Sequence, residues 1–205
     1  MRVFLNEKGE VTTTDINFQE YQSLDFLKYE GPTEPTMNGG LNNTLRYKNW
    51  RLNIFLTYSF GNKIRLDPVF SSSYSDMSAM PKEFKNRWVM PGDEKITSIP
   101  AIASVRQYYN DTQLSYAYNA YNYSTARIAD GGFIRLKDVS LTYDVPRSFL
   151  AKIGLSTAAI KLDATNLCLL YADDKLNGQD PEFVNAGGVA TPLSKQFTLT
   201  VRLGL

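Results

Sequence analysis

The stretch 50-WRLNIFLTYSF-60 constrains the fold more than any other part of the sequence, because its residues alternate in polarity. Apolar side chains occupy every even position from Trp50 to Phe60, and the odd positions are polar except for Phe55. A period of two places the apolar residues on one face of a β-strand. Such a face needs an apolar partner, which is a second sheet in a soluble sandwich and lipid in an outer-membrane barrel.

The same alternation predicts four more strands. One precedes the first across a tight turn at Lys48-Asn49, so that 41–60 forms a hairpin. A strand within 132–145 changes phase at Lys137-Asp138, which predicts a β-bulge, and Pro146 ends it. The remaining two strands are predicted at 158–167 and 197–205.

The intervals between these strands differ greatly in length. Residues 1–40 have turn chemistry, and Pro32 and Pro35 exclude a central strand there. The intervals 61–131 and 168–193 are long, whereas the connections at 48–49 and 146–157 are short. Membrane barrels combine long outer loops with short inner turns, whereas compact soluble domains rarely contain so long a structureless loop. We therefore predict outer loops at 1–40, 61–131 and 168–193, a strand pair at 132–167 and a terminal strand at 194–205.

Composition excludes several functional classes. With no His and one Cys, the sequence offers no His-based catalytic triad, no intrachain disulfide framework and no multi-Cys metal site. We expect no enzyme activity and no cofactor, and we expect Cys168 to lie at a strand end as a small apolar filler. A net charge of +1 gives no electrostatic case for nucleic acid as a partner. The start MRVFLNEKGE has no secretory signal pattern, and no apolar run is long enough for a membrane helix.

The chain resembles the C-terminal part of SusC/RagA-type TonB-dependent outer-membrane transporters of Bacteroidetes. The segments that carry the resemblance, in order, are GLNNTLRYKNWRLNIFLTYSFGNKI, RWVMPGDE, DGGFIRLKDVSLTYDVPRSFLAKIGLS, KLDATNL, GQDPEF and the terminal alternating strand. The resemblance implies an all-β fold, namely an antiparallel transmembrane β-barrel segment with long extracellular loops. It would supply about five C-terminal strands of a roughly 22-stranded barrel. The family's plug domain is absent, and an open sheet with two unpaired edges cannot span a membrane alone, so we expect a fragment. A truncated gene, an assembly break and a split protein all remain open.

For the intact protein, the resemblance implies import of a glycan or an oligopeptide across the outer membrane. The implied partners are a SusD-like surface lipoprotein, TonB acting through the missing N-terminal part, and outer-membrane lipid. The fragment alone is not expected to transport, and the alternative is a soluble extracellular carbohydrate-binding β-sandwich. Two features depart from the family: 5–15 is too poor in Asp for a calcium loop, and Leu205 stands where Phe is common, which bears on barrel assembly.

Two sets of residues are candidates for contact with solutes or partners. The first set is a run of tyrosines that contact a ligand or the lid, or else pack within their loop: Tyr108, Tyr109, Tyr116, Tyr118, Tyr121 and Tyr123. The second set faces the lumen by strand parity and consists of Arg51, Asn53, Lys161, Asp163 and Arg202. These lumen residues influence solute passage, or simply wet the inner wall or pair with the plug.

Two acidic groups are candidates for metal binding or for catalysis. Asp173, Asp174, Asp180 and Glu182 form a cluster for which solvated loop charge is favoured over calcium binding. For Asp93 and Glu94, we favour a role in forming a turn over a role as a general acid/base pair.

Overall fold

The computed structural model describes residues 4–5, 11–12, 27–70, 81–111, 114–152, 154–184 and 192–204. The chain divides into two compact units. The loop unit comprises Met1–Glu30 and Arg65–Ala129, and the sheet unit comprises Gly31–Ile64 and Asp130–Leu205.

Most of the described strands belong to one antiparallel sheet. The strands are β1 (Phe4–Leu5), β2 (Val11–Thr12), β3 (Met37–Tyr47), β4 (Trp50–Phe60), β5 (Lys63–Arg65), β6 (Ile128–Asp130), β7 (Phe133–Asp144), β8 (Thr157–Tyr171) and β9 (Gln196–Gly204). The main sheet has the order β3-β4-β7-β8-β9, while β1 pairs with β2 and β5 with β6 in separate two-stranded sheets. Because each strand of the main sheet lies beside its nearest sequence neighbour within that sheet, the topology is a simple meander.

The helices are short. They are α1 (Val105–Asn110), α2 (Leu114–Tyr123) and α3 (Arg147–Leu150), with 3-10 turns at Lys82–Asn86, Asp93–Lys95, Thr125–Arg127 and Asp174–Leu176. A capping box begins α1, in which Ser104 Oγ accepts from the Gln107 amide at 3.3 Å and Gln107 Oε1 accepts from the Ser104 amide at 2.8 Å. Within the described residues, no helix is both long and apolar enough to cross a membrane.

The predicted hairpin is present and begins earlier than expected. β3 starts at Met37, four residues before position 41, and pairs with β4 up to Tyr47 opposite Trp50. The two-residue turn contains Lys48 at φ 51°, in the left-handed region that tight hairpin turns require. Asn49 Nδ2 donates to the Asp144 carbonyl oxygen at 2.7 Å, which ties the turn to β7.

The β-bulge predicted at Lys137-Asp138 is confirmed. The register between β4 and β7 moves from Phe55 opposite Asp138 to Leu56 opposite Leu136, which leaves Lys137 without a direct partner on β4. A one-residue insertion reverses strand parity, so Leu136 joins the apolar face although its numbering has the other parity.

A row of leucines crosses the middle of the sheet. Consecutive members of the row are direct cross-strand partners, and the five are Leu45, Leu52, Leu141, Leu162 and Leu199. Four of the five are exposed in the described structure, Leu45 at 57%, Leu141 at 37%, Leu162 at 51% and Leu199 at 66%, and Leu52 is half-buried. The two edge strands, β3 and β9, each have a neighbour in the sheet on one side only.

The interval 61–131, which we predicted as a long loop, contains two helices and a hydrophobic core of its own. Val69, Phe70, Ile99, Tyr118 and Tyr121 are buried together, and the Phe70 and Tyr118 rings stack with centroids 4.4 Å apart. α2 forms because its apolar residues recur at helical spacing, with Ala117, Tyr118, Ala120 and Tyr121 facing inward. This helical periodicity is hard to recognise in the sequence because the segment is rich in Tyr and Asn.

The strand β8 is longer than expected, and this corrects the position of Cys168. The strand continues to Tyr171, so the predicted loop at 168–193 begins four residues too early. Cys168 lies within β8 opposite Leu136, and its side chain is exposed on the apolar face. It is therefore not a strand-end filler. Just before the extension, β8 has an irregularity at Asn166, whose φ is 54°, between the pairs formed by Thr165 and Cys168.

Candidate functional site

The lumen-facing candidates lie together on the face of the main sheet opposite the leucine row. Arg51 and Lys161 both pair with Thr142, and Asn53 and Asp163 both pair with Ser140, so the four share two adjacent rows. A concave site of about 360 Å³ is lined by residues from all five strands, including Arg51, Asn53, Lys161 and Arg202. The polar face is thus the concave face of the sheet.

Two ion pairs and one hydrogen bond order this face. Arg51 Nη2 lies 3.3 Å from Asp144 Oδ2, and Lys161 Nζ lies 2.7 Å from Asp163 Oδ2. Thr44 Oγ1 donates to Asn53 Oδ1 at 2.8 Å across the β3-β4 pair. Because these side chains are partly exposed, each ion pair contributes only about 0.2–1 kcal/mol to stability. Their main effect is to position the charges.

Phe55, the exception to the alternation of β4, covers a glycine on the polar face. A Cβ at Gly40 would lie 2.8 Å from Phe55 Cε2, and a Cβ at Gly39 would lie 2.6 Å from the Tyr58 hydroxyl on the apolar face. Two successive glycines therefore let an aromatic ring lie flat on each side of β3. Cross-strand aromatics of this kind compensate for the weak packing of strand glycines.

At the far end of the polar face, Arg135 forms a buried charge cluster. Its Nη2 donates to both carboxylate oxygens of Asp180 at 2.5 Å and lies 3.2 Å from Glu182 Oε2. The Arg135 and Asp180 side chains are only 8% and 6% exposed. The prediction that Asp180 is a solvated loop charge is therefore wrong. A charge that loses water persists when it is paired and hydrogen-bonded, as it is here.

Asp173, another member of the acidic cluster, accepts hydrogen bonds from two backbone amides. Asp173 Oδ2 accepts from the Asp130 amide at 2.7 Å, and its Oδ1 accepts from the Lys175 amide at 2.9 Å. Leu176 is 1% exposed. The segment 172–184 is thus fixed at Asp173, Leu176 and Asp180. No group of three or more metal-ligating side chains that could hold an ion occurs in the described ranges.

The tyrosine candidates separate into two groups. Tyr118 and Tyr121 are buried in the core of the loop unit, and Tyr118 Oη donates to the Ala101 carbonyl oxygen at 2.6 Å. Their packing leaves no ring face for a ligand. Tyr109, Tyr116 and Tyr123 are 83%, 39% and 65% exposed, so ligand or lid contact remains a prediction for them. The side chain of Tyr108 lies outside the described part of the structure.

Asp93 and Glu94 organise a turn, as expected. Asp93 Oδ2 accepts from the amides of Val89 and Met90, both at 3.0 Å. Glu94 Oε2 accepts from Trp88 Nε1 at 3.1 Å and from the Gly92 amide at 2.8 Å. The backbone hydrogen bonds hold the pKa of Asp93 below its usual value, and the bond from the Trp88 indole does the same for the pKa of Glu94.

Two interior polar groups of the loop unit were missed by sequence reasoning. Arg127, 2% exposed, places Nη2 2.6 Å from Glu83 Oε1. Burial alone would lower the pKa of Arg127, but the Glu83 carboxylate together with Tyr121 outweighs burial and raises it. Asn122 Oδ1 accepts from the Val69 and Phe70 amides at 3.1 and 3.3 Å, and its Nδ2 donates to the Phe70 carbonyl oxygen at 2.8 Å. No local pattern identifies such long-range partners.

The chain is similar in sequence to known proteins that share one name. No protein-family model matches the chain. TonB-dependent receptor P3 of Formosa agariphila is 29% identical over 178 residues, covering 87% of this chain and 15% of the relative. TonB-dependent receptor P26 of the same organism is 29% identical over 176 residues, covering 80% of this chain and 15% of the relative. The chain thus spans about 15% of the length of these relatives.

Solved structures agree in fold. The RagAB peptide importer in the open-open state has a TM-score of 0.60 at 22% identity, covering 99% of this chain and 20% of that chain. The closed-closed state has a TM-score of 0.60 at 23% identity, covering 98% and 20%. The resemblance to SusC/RagA-type TonB-dependent transporters, inferred from sequence motifs, is confirmed, as is the mostly antiparallel fold.

Proposed function

We propose that this chain, a relative of TonB-dependent receptors, forms part of the barrel wall of an outer-membrane nutrient importer. The observation that carries the proposal is the two-faced main sheet. One face carries exposed leucines and the other, concave face carries charged and hydroxyl side chains. The wall of a transmembrane barrel needs these two faces, because its outer face contacts lipid and its inner face contacts a water-filled lumen.

Aromatic residues flank the leucine row on the apolar face. At the hairpin-turn end, the Trp50 and Tyr143 rings lie 4.6 Å apart, and at the opposite end the Phe60 and Tyr171 rings lie 6.2 Å apart. From Trp50 to Phe60 the strand rises roughly 33 Å, or roughly 23 Å along the membrane normal at a tilt of 45°. This height matches the apolar band between the two aromatic girdles of outer-membrane barrels, about 25 Å.

The open edges of the sheet support a place within a larger wall. In lipid, each unsatisfied backbone group costs several kcal/mol, so the free sides of β3 and β9 must pair with further strands. The intact protein would supply these strands together with the plug on which TonB acts. The segments 61–131 and 168–193 would lie on the outer side.

Further partners and cargo follow from the relationship. We propose a SusD-like surface lipoprotein as the partner at the outer side, and a glycan or an oligopeptide as the cargo. Similarity to RagAB, a peptide importer, supports the peptide. Taken alone, this chain builds wall and loops and supplies no energy step.

An immunoblot of outer-membrane fractions with an antibody to 168–193, run with and without boiling, tests the proposal. We expect a boiling-sensitive band several times heavier than 23.1 kDa in the outer membrane. A band near 23.1 kDa in the soluble fraction would refute the barrel wall and favour the carbohydrate-binding sandwich. The periplasmic and inner-membrane fractions serve as controls for contamination.

A further inference from the structure

The polar face carries an excess of positive charge at its hairpin-turn end. The cation cluster consists of Arg46, Arg51, Lys161 and Arg202, which line the same concave site. Two carboxylates pair with members of this cluster, Asp144 with Arg51 and Asp163 with Lys161. Four cations against two carboxylates leave an excess of two positive charges.

The arrangement within the cluster is unfavourable unless an anion is present. Arg46 lies directly opposite Arg51 in the β3-β4 register, and like charges in that position destabilise a sheet. Among the described residues, Arg46 and Arg202 form no salt bridge, and the buried Nε of Arg51 has no hydrogen-bond partner. The polar face therefore carries arginine side chains whose charge is not paired with a carboxylate among the described residues.

The negative charges of this face neutralise the cluster only in part, through Asp144 and Asp163. Asp138 pairs in register with Phe55 at the bulge, one row beyond Asp163 and farther from the turn. Asp138 therefore lies farther from Arg46 and Arg51 than Asp144 does, which pairs with Arg51 at the turn end. Because the concave wall excludes part of the surrounding water, the field of the cluster is focused into the site.

We infer that the cation cluster is a carboxylate-binding site of the lumen wall. Arginine suits this ligand because its planar guanidinium donates two parallel hydrogen bonds to a carboxylate. Arg46 and Arg51, direct partners on adjacent strands, supply the donors, and Arg202 on the opposite edge strand adds positive charge to the same concave site. The carboxylate comes either from acidic side chains of another segment seated in the lumen, or from an anionic solute in transit. The position of the site in a lumen, and with it the choice of source, rests on the proposed function.

Arginine modification on the complete protein in native outer-membrane vesicles tests the site. Phenylglyoxal reacts with free guanidinium groups, and peptide mass spectrometry measures the rate at each arginine. Arg106, exposed on α1, is the internal reference. Rates are divided by those of the same peptides in the unfolded protein, and runs are made at low salt, in 1 M NaCl, with citrate and with a neutral sugar.

Two results support the site and identify its source. If Arg46 and Arg202 react at least fivefold more slowly than Arg106 at low salt, and 1 M NaCl restores their rates, a resident carboxylate occupies the site. Salt distinguishes pairing from mere occlusion, because it shortens the screening length to about 3 Å. If they react freely and citrate, but not the neutral sugar, slows them at least threefold, the ligand is an anionic solute.

Other results overturn the inference. Slow modification without a salt response means occlusion, and fast modification without a citrate response means no anion site. Arg51→Gln should abolish at least two thirds of the protection of Arg46, its direct cross-strand partner, whereas Arg147→Gln, at α3 and outside the cluster, should not. The immunoblot is independent of these rates, so failure of the anion site and failure of the barrel wall are distinguishable.

Discussion

The buried pair of Arg135 and Asp180 makes a strong prediction about how the segment 172–184 is held on the sheet. Removing one partner of a buried, hydrogen-bonded ion pair costs about 3–5 kcal/mol, because the other charge is left without water or a counterion. At about 1.4 kcal/mol per factor of ten, this corresponds to a roughly 100- to 4,000-fold greater population of the opened segment. Glu182, whose side chain is 44% exposed, can replace only part of the lost ion pairing.

The probe for opening is a cysteine placed at Leu176, which is 1% exposed and reacts with a maleimide only when the segment lifts. The native thiol is removed first, as Cys168→Ser, in the complete transporter. In this background we expect Arg135→Met to raise the labelling rate most, since both carboxylates lose their partner. Asp180→Asn should raise it less, because Glu182 still pairs with Arg135.

The double variant Arg135→Met/Asp180→Leu is the control that separates charge from packing. It removes both buried charges and leaves only Glu182, which is 44% exposed and can be solvated. We therefore expect most of the protection of the cysteine at position 176 to return. The reasoning is refuted if both single variants label within threefold of the background. It is also refuted if the double variant labels as fast as Arg135→Met, since packing rather than pairing would then hold the segment.

Three further predictions concern the membrane face, the loop unit and the acidic turn. Leu199→Arg should lower the free energy of unfolding of the barrel by about 2–4 kcal/mol, measured by the loss of the boiling-sensitive band, whereas Thr198→Arg on the polar face should not. Asn122→Ala should leave two buried amides and one carbonyl without partners and speed hydrogen exchange of those amides at least tenfold, whereas Asn119→Ala, exposed on the same helix, should not. Because the folded pKa of Glu94 is lowered, its turn contributes stability that is present above the ordinary value of 4.5 and lost as pH falls through the folded pKa. Carbodiimide labelling of Glu94 should therefore begin at lower pH in the folded than in the unfolded protein, and coincident profiles would contradict the turn hydrogen bonds.

The sheet was predictable because its information is local. Alternation identified the strands, and the phase change at Lys137-Asp138 identified the bulge, since a strand that must keep one apolar face can change parity only by inserting a residue. Parity also predicted that Arg51, Lys161 and Arg202 share a face. The motif order then pointed to TonB-dependent transporters, and the similarity to TonB-dependent receptors of Formosa agariphila agrees with it.

The loop unit and the charge clusters depended on tertiary structure. Asn122 reaches the backbone of Phe70, and Arg135 reaches Asp180, across long separations in sequence that no periodic pattern records. Phe55 appeared to break the alternation, yet it packs on Gly40 of the neighbouring strand. The sequence by itself determined which strands form and which face is apolar, because backbone geometry imposes a period of two. Only the tertiary structure decided which buried polar groups meet, because burial forces each to find a partner wherever the chain brings one.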